Sequence, residues 1–426
     1  MKRKLYLKNQ TVYQIYVRNH TKEGTFNALI RDLPRIKALG VDILYLVPIH
    51  PIGEKARKGK LGSPYAIKDY YLVNEELGTL EDFQGFLNIA HSFGFKVIID
   101  IVLHHTSPDS RLLIEHPEFF FYKNGKVGNK IGDWYDIIDL DYNNRDLWDY
   151  MLEMLKYWVS VGVDGFRADV APLVPLAFWE YVRKALDEID SELIWLSESV
   201  EQGFLDFVWA NNYVGHADGE MYKAFDMLYD YDVYPALKRY LQGEGKLEDY
   251  LKLVRRQEKE YPFGYLKIRT IENHDTERIF ALCKNEAVLK NITAWSFFQN
   301  GVGYLYAGQE VKAKHRPDLF NKDVIDLKIK DDEYYNFIMN LVELKKLPIF
   351  KEHHSFIIEQ TEYEDIIIAR LISDEETIYG IFNLKGEAQS IRVLLEDGAY
   401  DNLLNDEEIT IKKGSLTINE PLIFFI

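Results

Sequence analysis

The chain has 426 residues, of which 47% are hydrophobic, and a formal net charge of −17. Its length allows a large buried core, whereas its acidity argues against nucleic-acid binding, which requires Lys and Arg to neutralise phosphates. No apolar run reaches signal-peptide or membrane-spanning length, so we expect no membrane partner. Because of the acidity, we expect no nucleic-acid partner either. Cys283 is the single cysteine, which precludes an intramolecular disulfide and suits a cytoplasmic location.

Short β-rich runs alternate with amphipathic stretches through the first 347 residues. The spacing of apolar residues predicts a helix over 29–39 that Gly40 ends, and a later helix over 147–158. Between them, Thr79 followed by Asp82 forms a weak capping box that opens another helix. Eight strands are predicted, over Thr11–Val17, Val41–Val47, Val97–Leu103, Val163–Asp169, Leu193–Glu198, Ala224–Tyr229, Tyr265–Glu272 and Gly303–Tyr306.

Strands that alternate with helices imply parallel pairing with helical crossovers, and eight strands fit a closed (β/α)8 TIM barrel. We assign residues 1–105 and 136–347 to this barrel. A Pro- and Gly-containing segment, 106–135, predicts a short inserted subdomain over the barrel mouth after the third strand, with FFFYKNGK as a hairpin. The connection Pro48–Leu61 is predicted to be a mobile rim loop. Period-two runs over 348–426 predict a C-terminal antiparallel, sandwich-like β domain.

Four predicted strands end in polar clusters, which read VIIDIVLHH, VDGFRAD, LIWLSE and IRTIENHD. Carboxylates at the C-terminal ends of several strands are what a barrel active site requires. No phosphate loop or dinucleotide fingerprint follows any strand. His104 and His105 are adjacent, so in a strand they face opposite ways, and His274 with Asp275 is only a second adjacent pair. These pairs are poor chelates, and we expect no catalytic metal.

Glycoside cleavage fits these clusters, because it needs one protonated and one ionised carboxyl group. Asp169 follows Arg167 by two residues, so both face one way, and the cation should keep a nucleophilic carboxylate ionised. Glu198 ends an apolar run that contains Trp195, where desolvation should keep a general acid protonated. Asp275 supplies a third carboxylate that can stabilise charge in the transition state.

Over roughly residues 10–347 the sequence resembles the α-amylase family of glycoside hydrolases. The D-x-V-x-N-H element appears as DIVLHH, and the G-F-R-x-D and N-H-D elements are intact at Gly165–Asp169 and Asn273–Asp275. LSES, GSPYAIKDYY and GVGYLYAGQE also match. The resemblance implies a retaining double displacement on an α-linked glucoside, with Asp169 as nucleophile, Glu198 as acid/base and Asp275 as transition-state stabiliser.

The resemblance also implies which side chains surround the reacting sugar. Tyr65 would stack beneath its ring. The other side chains around the sugar would be those of Asp100, His105, Arg167 and His274.

Two departures from the family pattern narrow the expected function. His104 replaces an Asn that ligates calcium in the family, and only Asp139 resembles a surviving ligand, so we expect no cofactor and a calcium site that is weak or absent. Pro172 and Leu173 replace a Lys-His pair on the leaving-group side. This change favours maltooligosaccharides over cleavage deep inside starch chains.

Three functions remain open. The leading one is a glycoside hydrolase of α-1,4-glucans, amylase-like or glucosidase-like, acting on an oligosaccharide. The alternative is a transglycosylase or isomerase (glucanotransferase, trehalose synthase or sucrose phosphorylase type) that uses the same triad. A non-catalytic sugar-binding descendant is disfavoured, because all three carboxylates are present.

Overall fold

A computed structural model of the protein describes residues 3–131, 134–405 and 407–426. Gly132 and Asp133, within the predicted insertion, lie outside the described residues. All eight predicted barrel strands are present and parallel, which confirms the predicted fold class. They are β1 (Thr11–Ile15), β2 (Ile43–Leu46), β3 (Lys96–Ile101), β4 (Gly165–Ala168), β5 (Ile194–Ser197), β6 (Met227–Tyr229), β7 (Lys267–Ile268) and β8 (Gly303–Tyr306).

The strands form one sheet in the order β7-β6-β5-β4-β3-β2-β1-β8. A parallel bridge between Ile268 and Val302 joins β7 to β8 and closes the barrel. The last two strands before closure are shorter than predicted, since β6 starts at Met227 and β7 has two residues.

The helices cover the outside of the barrel and follow the sequence signals closely. Thr79 accepts a hydrogen bond from the Asp82 amide while the Asp82 carboxylate accepts from the Thr79 amide, so the predicted capping box forms. The helix predicted over 29–39 is instead two short helices, because Pro34 has no N–H to continue the first one. The α-helices are Val17–His20, Phe26–Ile30, Leu33–Ala38, Leu80–Ser92, Arg111–Glu115, Arg145–Val161, Leu176–Asp187, Gln202–Ala210, Asp218–Met221, Tyr234–Leu241, Leu247–Glu260, Ile279–Leu282, Glu286–Phe298, Asp332–Lys345 and Pro348–Glu352.

One glycine sets how closely β4 approaches β5. Gly165 opens β4 with φ of +155°, and a Cβ there would lie 2.1 Å from the carbonyl oxygen of Ile194 in β5. Only glycine fits this contact. The residue therefore fixes the spacing of the two strands that end beside Asp169 and Glu198.

Residues after β3 form a small unit above the barrel. A two-stranded antiparallel pair, His105–Thr106 with Ile138–Asp139, closes its base. The predicted hairpin is present, with Tyr122–Lys123 paired to Lys126–Val127. The unit thus leaves and rejoins the barrel beside His105.

The C-terminal residues form antiparallel strands, as predicted. Trp295 on a barrel helix contacts Phe382 of this region, with ring centroids 5.5 Å apart, so the two parts share an apolar contact. None of the helices in the described part of the chain is both long and apolar enough to cross a membrane. The C-terminal strands are Ser355–Ile358, Ile366–Ile372, Thr377–Asn383, Gln389–Arg392, Gly398–Asp401, Glu408–Ile411, Ser415–Ile418 and Leu422–Phe425.

Candidate active site

Arg167 lies at the centre of the polar clusters and is fully buried. Its Nη1 donates to both oxygens of Asp100, at 2.8 and 2.9 Å, and to Oδ1 of Asp169 at 2.9 Å. Its Nη2 lies 3.0 Å from Oε1 of Glu198. The prediction that Arg167 and Asp169 face the same way is confirmed, and one guanidinium holds three carboxylates from three strands.

The strand register explains why these groups meet. Asp100 on β3 is the parallel-sheet partner of Arg167 on β4, so both side chains point into the barrel mouth. Tyr45, from β2, donates to Oδ2 of Asp100 at 2.6 Å, and Tyr65 donates to the same oxygen at 3.0 Å. Asp100 is therefore fully engaged and orients Arg167.

The two carboxyl groups predicted to react have raised pKa values. Burial raises the pKa of Glu198 to about 8, and the Asp169 and Asp275 charges add to the effect while Arg167 opposes it. Burial also raises the pKa of Asp169 to about 7, against the influence of Arg167. The raised pKa of Glu198 agrees with the expectation that desolvation keeps this group protonated. Arg167 lowers the pKa of Asp169, as expected, but desolvation outweighs the cation, so the expectation that Arg167 keeps Asp169 ionised is not met.

A strained turn connects these two carboxyl groups. Val170, directly after Asp169, has φ of +36° and ψ of +41°, a left-handed conformation that β-branched residues rarely adopt. Its N–H donates to Oε2 of Glu198 at 2.7 Å. Such strain costs on the order of 1–3 kcal/mol and is found at functional sites. Here it aims a backbone donor at Glu198.

His274 is oriented by a chain of hydrogen bonds from β1 and β8. The Tyr304 hydroxyl donates to Oε1 of Gln14 at 2.5 Å, so the Gln14 amide nitrogen donates to Nδ1 of His274 at 2.7 Å. The ring hydrogen therefore sits on Nε2. That nitrogen lies 2.5 Å from the Tyr65 hydroxyl oxygen and 3.0 Å from Oδ2 of Asp275.

Asp275 differs from the other two carboxyl groups. Its side chain is 42% exposed, toward the cleft. Burial by the surrounding walls would raise its pKa, but the hydrogen bond from Nε2 of His274 and the charges of Arg167 and Arg316 lower the pKa below its ordinary value. Asp275 is therefore ionised at neutral pH beside two carboxyl groups of raised pKa.

His104 and His105 do not face opposite ways, so that prediction is wrong. Strand β3 ends at Ile101, before the pair, and the two rings touch, with Nδ1 atoms 3.1 Å apart. Both side chains are buried. Nε2 of His105 lies 4.0 Å from Oδ2 of Asp169, which places it at the site.

A cavity of about 350 Å³ opens above these groups. Asp169, Glu198, Asp275, Tyr65 and His105 all line it. Its rim is formed by side chains from the connections after β2, β3, β4 and β8, namely Lys58, Ser63, Trp134, Asp136, Ile137, Val170, Leu319 and Phe320. Arg167, Asp100 and His274 lie behind this surface, so every sequence-predicted site residue lines the cavity or contacts a residue that does.

Comparison with known proteins decides the family. Residues 14–138 and 132–340 match the model of the α-amylase catalytic domain, and residues 357–424 match that of the bacterial α-amylase C-terminal domain. The chain belongs to the α-amylase family. The recognition made from the sequence motifs is thereby confirmed.

Two solved family members resemble the whole chain. An α-amylase from Lactobacillus plantarum is 42% identical with a TM-score of 0.95, covering 99% of this chain and 100% of that one. A noncanonic maltogenic α-amylase from Thermotoga neapolitana is 34% identical with a TM-score of 0.88, covering 99% of both chains.

The first curated relatives are longer than this chain. An α-1,4-glucan:maltose-1-phosphate maltosyltransferase from Picrophilus torridus is 26% identical over 89% of this chain and 62% of its own length. The chain thus spans less than two thirds of the first curated relatives that it matches.

The calcium that the α-amylase family implies does not fit the residues present. Oδ1 of Asp139 is buried and has no hydrogen-bond partner among the described residues, but the imidazole of His104 lies 3.8 Å away, in place of the oxygen ligand that the family's Asn would supply. Calcium takes six to eight oxygen ligands. Within the described residues, no group of three or more His, Cys, Asp or Glu side chains is placed to hold a metal ion.

We therefore expect chelation to leave the enzyme unchanged. Dialysis against EDTA should alter neither turnover of a maltooligosaccharide nor the melting temperature, because no step or fold contact depends on the ion. Parallel assays with and without added calcium check this. A loss of activity that calcium restores would show that Asp139 still holds a metal.

Sequence reasoning missed several residues of this α-amylase site. Gln14 and Tyr45 lie inside predicted strands, where a polar side chain in an apolar run signals a group pointing into the barrel. Nothing in the sequence marks Val170, because valine disfavours the left-handed backbone conformation that it adopts here. Lys58 and Trp134 come from loops, whose positions depend on tertiary contacts.

Proposed function

We propose that the protein is a retaining glycoside hydrolase that cleaves α-1,4-linked glucans or maltooligosaccharides. The observation that carries this proposal is the shared guanidinium of Arg167, which contacts both Asp169 and Glu198. One guanidinium can bridge two carboxyl groups at the separation of about 5–5.5 Å that retaining enzymes use, which is shorter than the separation of about 6.5–9.5 Å in inverting enzymes.

In the proposed reaction each carboxyl group has one task. Glu198 donates its proton to the glycosidic oxygen while the Asp169 carboxylate attacks the anomeric carbon, which forms a glycosyl ester and releases the leaving sugar. The Glu198 carboxylate then takes a proton from water, whose oxygen displaces Asp169. Asp275, ionised throughout, faces the positive charge that develops on the sugar. The raised pKa of Glu198 supports its role as the acid.

The leaving-group side of the cleft favours short substrates. Leu173, where family members carry part of a Lys-His pair, packs in an apolar cluster with Leu205 and Val208. Leu173 is itself buried, so this position presents no charged group to a long polar chain. We therefore propose maltooligosaccharides as substrates and, from the single cysteine, a cytoplasmic location.

An aromatic pair packed against this cluster favours a second candidate, glycosyl transfer. Trp134 and Phe204 stack beside it with ring centroids 5.9 Å apart, and aromatic and aliphatic surface of this kind can bind a sugar acceptor and exclude water. Several curated relatives are named maltosyltransferases. An acceptor sugar would then replace water in the second step.

Product analysis separates these functions. We expect maltose through maltoheptaose to give shorter products whose fresh NMR signals show the α-anomer first, because two displacements retain configuration. Sucrose and trehalose, and phosphate as acceptor, are the comparison arms. An initial β-anomer would refute the mechanism, and products longer than the substrate would identify transfer.

A further inference from the structure

An ion pair crosses the mouth of the active-site cavity. Nζ of Lys58, on the loop after β2, lies 2.8 Å from Oδ1 of Asp136, on the unit inserted after β3. Asp136 is only 4% exposed, so its charge is held against Lys58 rather than solvated. Nζ also lies 4.9 Å from the ring centre of Tyr135 and 6.0 Å from that of Phe320. We call these four residues the clasp.

The loop that carries Lys58 is fastened on its other side. The Leu61 amide donates to the carbonyl oxygen of Phe320, and the Lys60 amide donates to Oδ1 of Asn321, both at 3.0 Å. Gly59 lies against Phe320, and a Cβ there would come within 2.6 Å of the Phe320 Cβ. The loop after β2 is thus joined to the loop after β8, and the clasp ties both to the inserted unit.

The order of strands in the barrel shows which end of the substrate the clasp faces. Glu198 follows β5, which lies across the closed barrel from β1. Because Glu198 protonates the leaving oxygen in the proposed mechanism, the leaving group occupies the β5 side. Lys58 and Phe320 follow β2 and β8, the two neighbours of β1. The clasp therefore stands where sugars on the non-reducing side of the cleaved bond would extend.

From this geometry we propose that the clasp closes the non-reducing side of the cavity and makes the enzyme act at chain ends. Both clasp charges line the same cavity as Asp169 and Glu198, so a glucan running past them would have to displace the ion pair. The volume of about 350 Å³ is near the lower end for ligand pockets, which suits a short terminal segment. The inference rests on the proposed function, since it needs Glu198 as the acid.

End-blocked substrates test the proposal. We expect the wild-type enzyme to cleave maltoheptaose at least about 100-fold faster, in kcat/KM, than maltoheptaose carrying a 4,6-acetal on its non-reducing sugar. Lys58→Ala and Asp136→Asn should each lower this ratio by about tenfold or more, because the passage opens. The exchange Lys58→Asp with Asp136→Lys should restore it. Lys60→Ala, an exposed lysine two residues away, is the matched control and should keep the wild-type ratio.

Two outcomes would overturn the proposal. One is equal cleavage of blocked and free maltoheptaose by the wild type, and the other is an unchanged ratio of kcat/KM for free over blocked maltoheptaose in both clasp variants. Failure of the proposed function looks different, since neither heptaose would then be cleaved by any variant. Asp136→Asn is nearly isosteric, so it tests the ion pair even if Lys58→Ala folds poorly.

Discussion

Replacing Asp169 with asparagine is expected to lower kcat by about four to six orders of magnitude, the range seen when a member of a catalytic triad is removed. The amide cannot form the glycosyl ester, yet it can keep the contact with Arg167 that the carboxylate makes at 2.9 Å. The fold should therefore persist. Steady-state turnover of maltoheptaose, measured beside circular dichroism and thermal melting, separates loss of chemistry from loss of structure.

Asp164 provides the matched control. Asp164 directly precedes β4, whereas Asp169 directly follows this strand, so the two residues lie at opposite ends of the barrel. Asp164 pairs there with Lys96 at 2.8 Å. Asp164→Asn should keep turnover within about twofold, since Asp164 contacts His91, Lys96 and the Val97 amide and none of these lines the cavity. If Asp169→Asn retained a tenth of wild-type kcat, another residue would have to be the nucleophile.

Glu198→Gln should abolish turnover and, at alkaline pH, stabilise the fold. The folded-state pKa of about 8 exceeds the ordinary value of 4.5, so the folded protein keeps a proton that the unfolded chain has released. Wild-type stability therefore falls as pH rises from about 4.5 to about 8 through this group. Glutamine does not titrate, so the free energy of unfolding of the variant should exceed that of the wild type by on the order of a few kcal/mol at pH 8.5 and by little at pH 4.

Urea unfolding of both proteins at pH 4, 6 and 8.5 measures this difference. Glu201→Gln is the control, because it removes an exposed carboxylate three residues away, and its stability should follow that of the wild type at each pH. Parallel stability curves for wild type and Glu198→Gln would show that burial does not raise the pKa of Glu198. Unchanged turnover in Glu198→Gln would reject it as the acid.

The barrel could be predicted because each strand and helix carries local signals. The Thr79 cap and the apolar runs of β1 to β5 depend on neighbouring residues alone, and they appear where expected. Predictions that depended on a continuous element were less accurate. Pro34 divides one predicted helix, and the backbone leaves the strand geometry before His104, so alternation no longer decides which way that ring points.

The candidate site was predictable where a residue sits at a strand end and unpredictable where a loop delivers it. Asp169 and Glu198 follow buried runs, and the register of the strands brings them together. The raised pKa of Asp169 was not foreseen, because a sequence gives the Arg167 neighbour but not the extent of desolvation. Lys58 is held at the cavity by Asp136 and, through its loop, by Phe320, and both residues are far away in the chain.

Closure of the barrel also has a consequence for biosynthesis. β1 at Thr11–Gln14 pairs with β8 at Gly303–Tyr306, so the sheet stays open until most of the chain has been translated. At about 5–20 residues per second, the closing strand follows the first by roughly 15–60 s. During that interval the nascent sheet presents unpaired N–H and C=O groups along the β1 edge, which invite pairing with other chains. Synthesis of β8 ends that exposure.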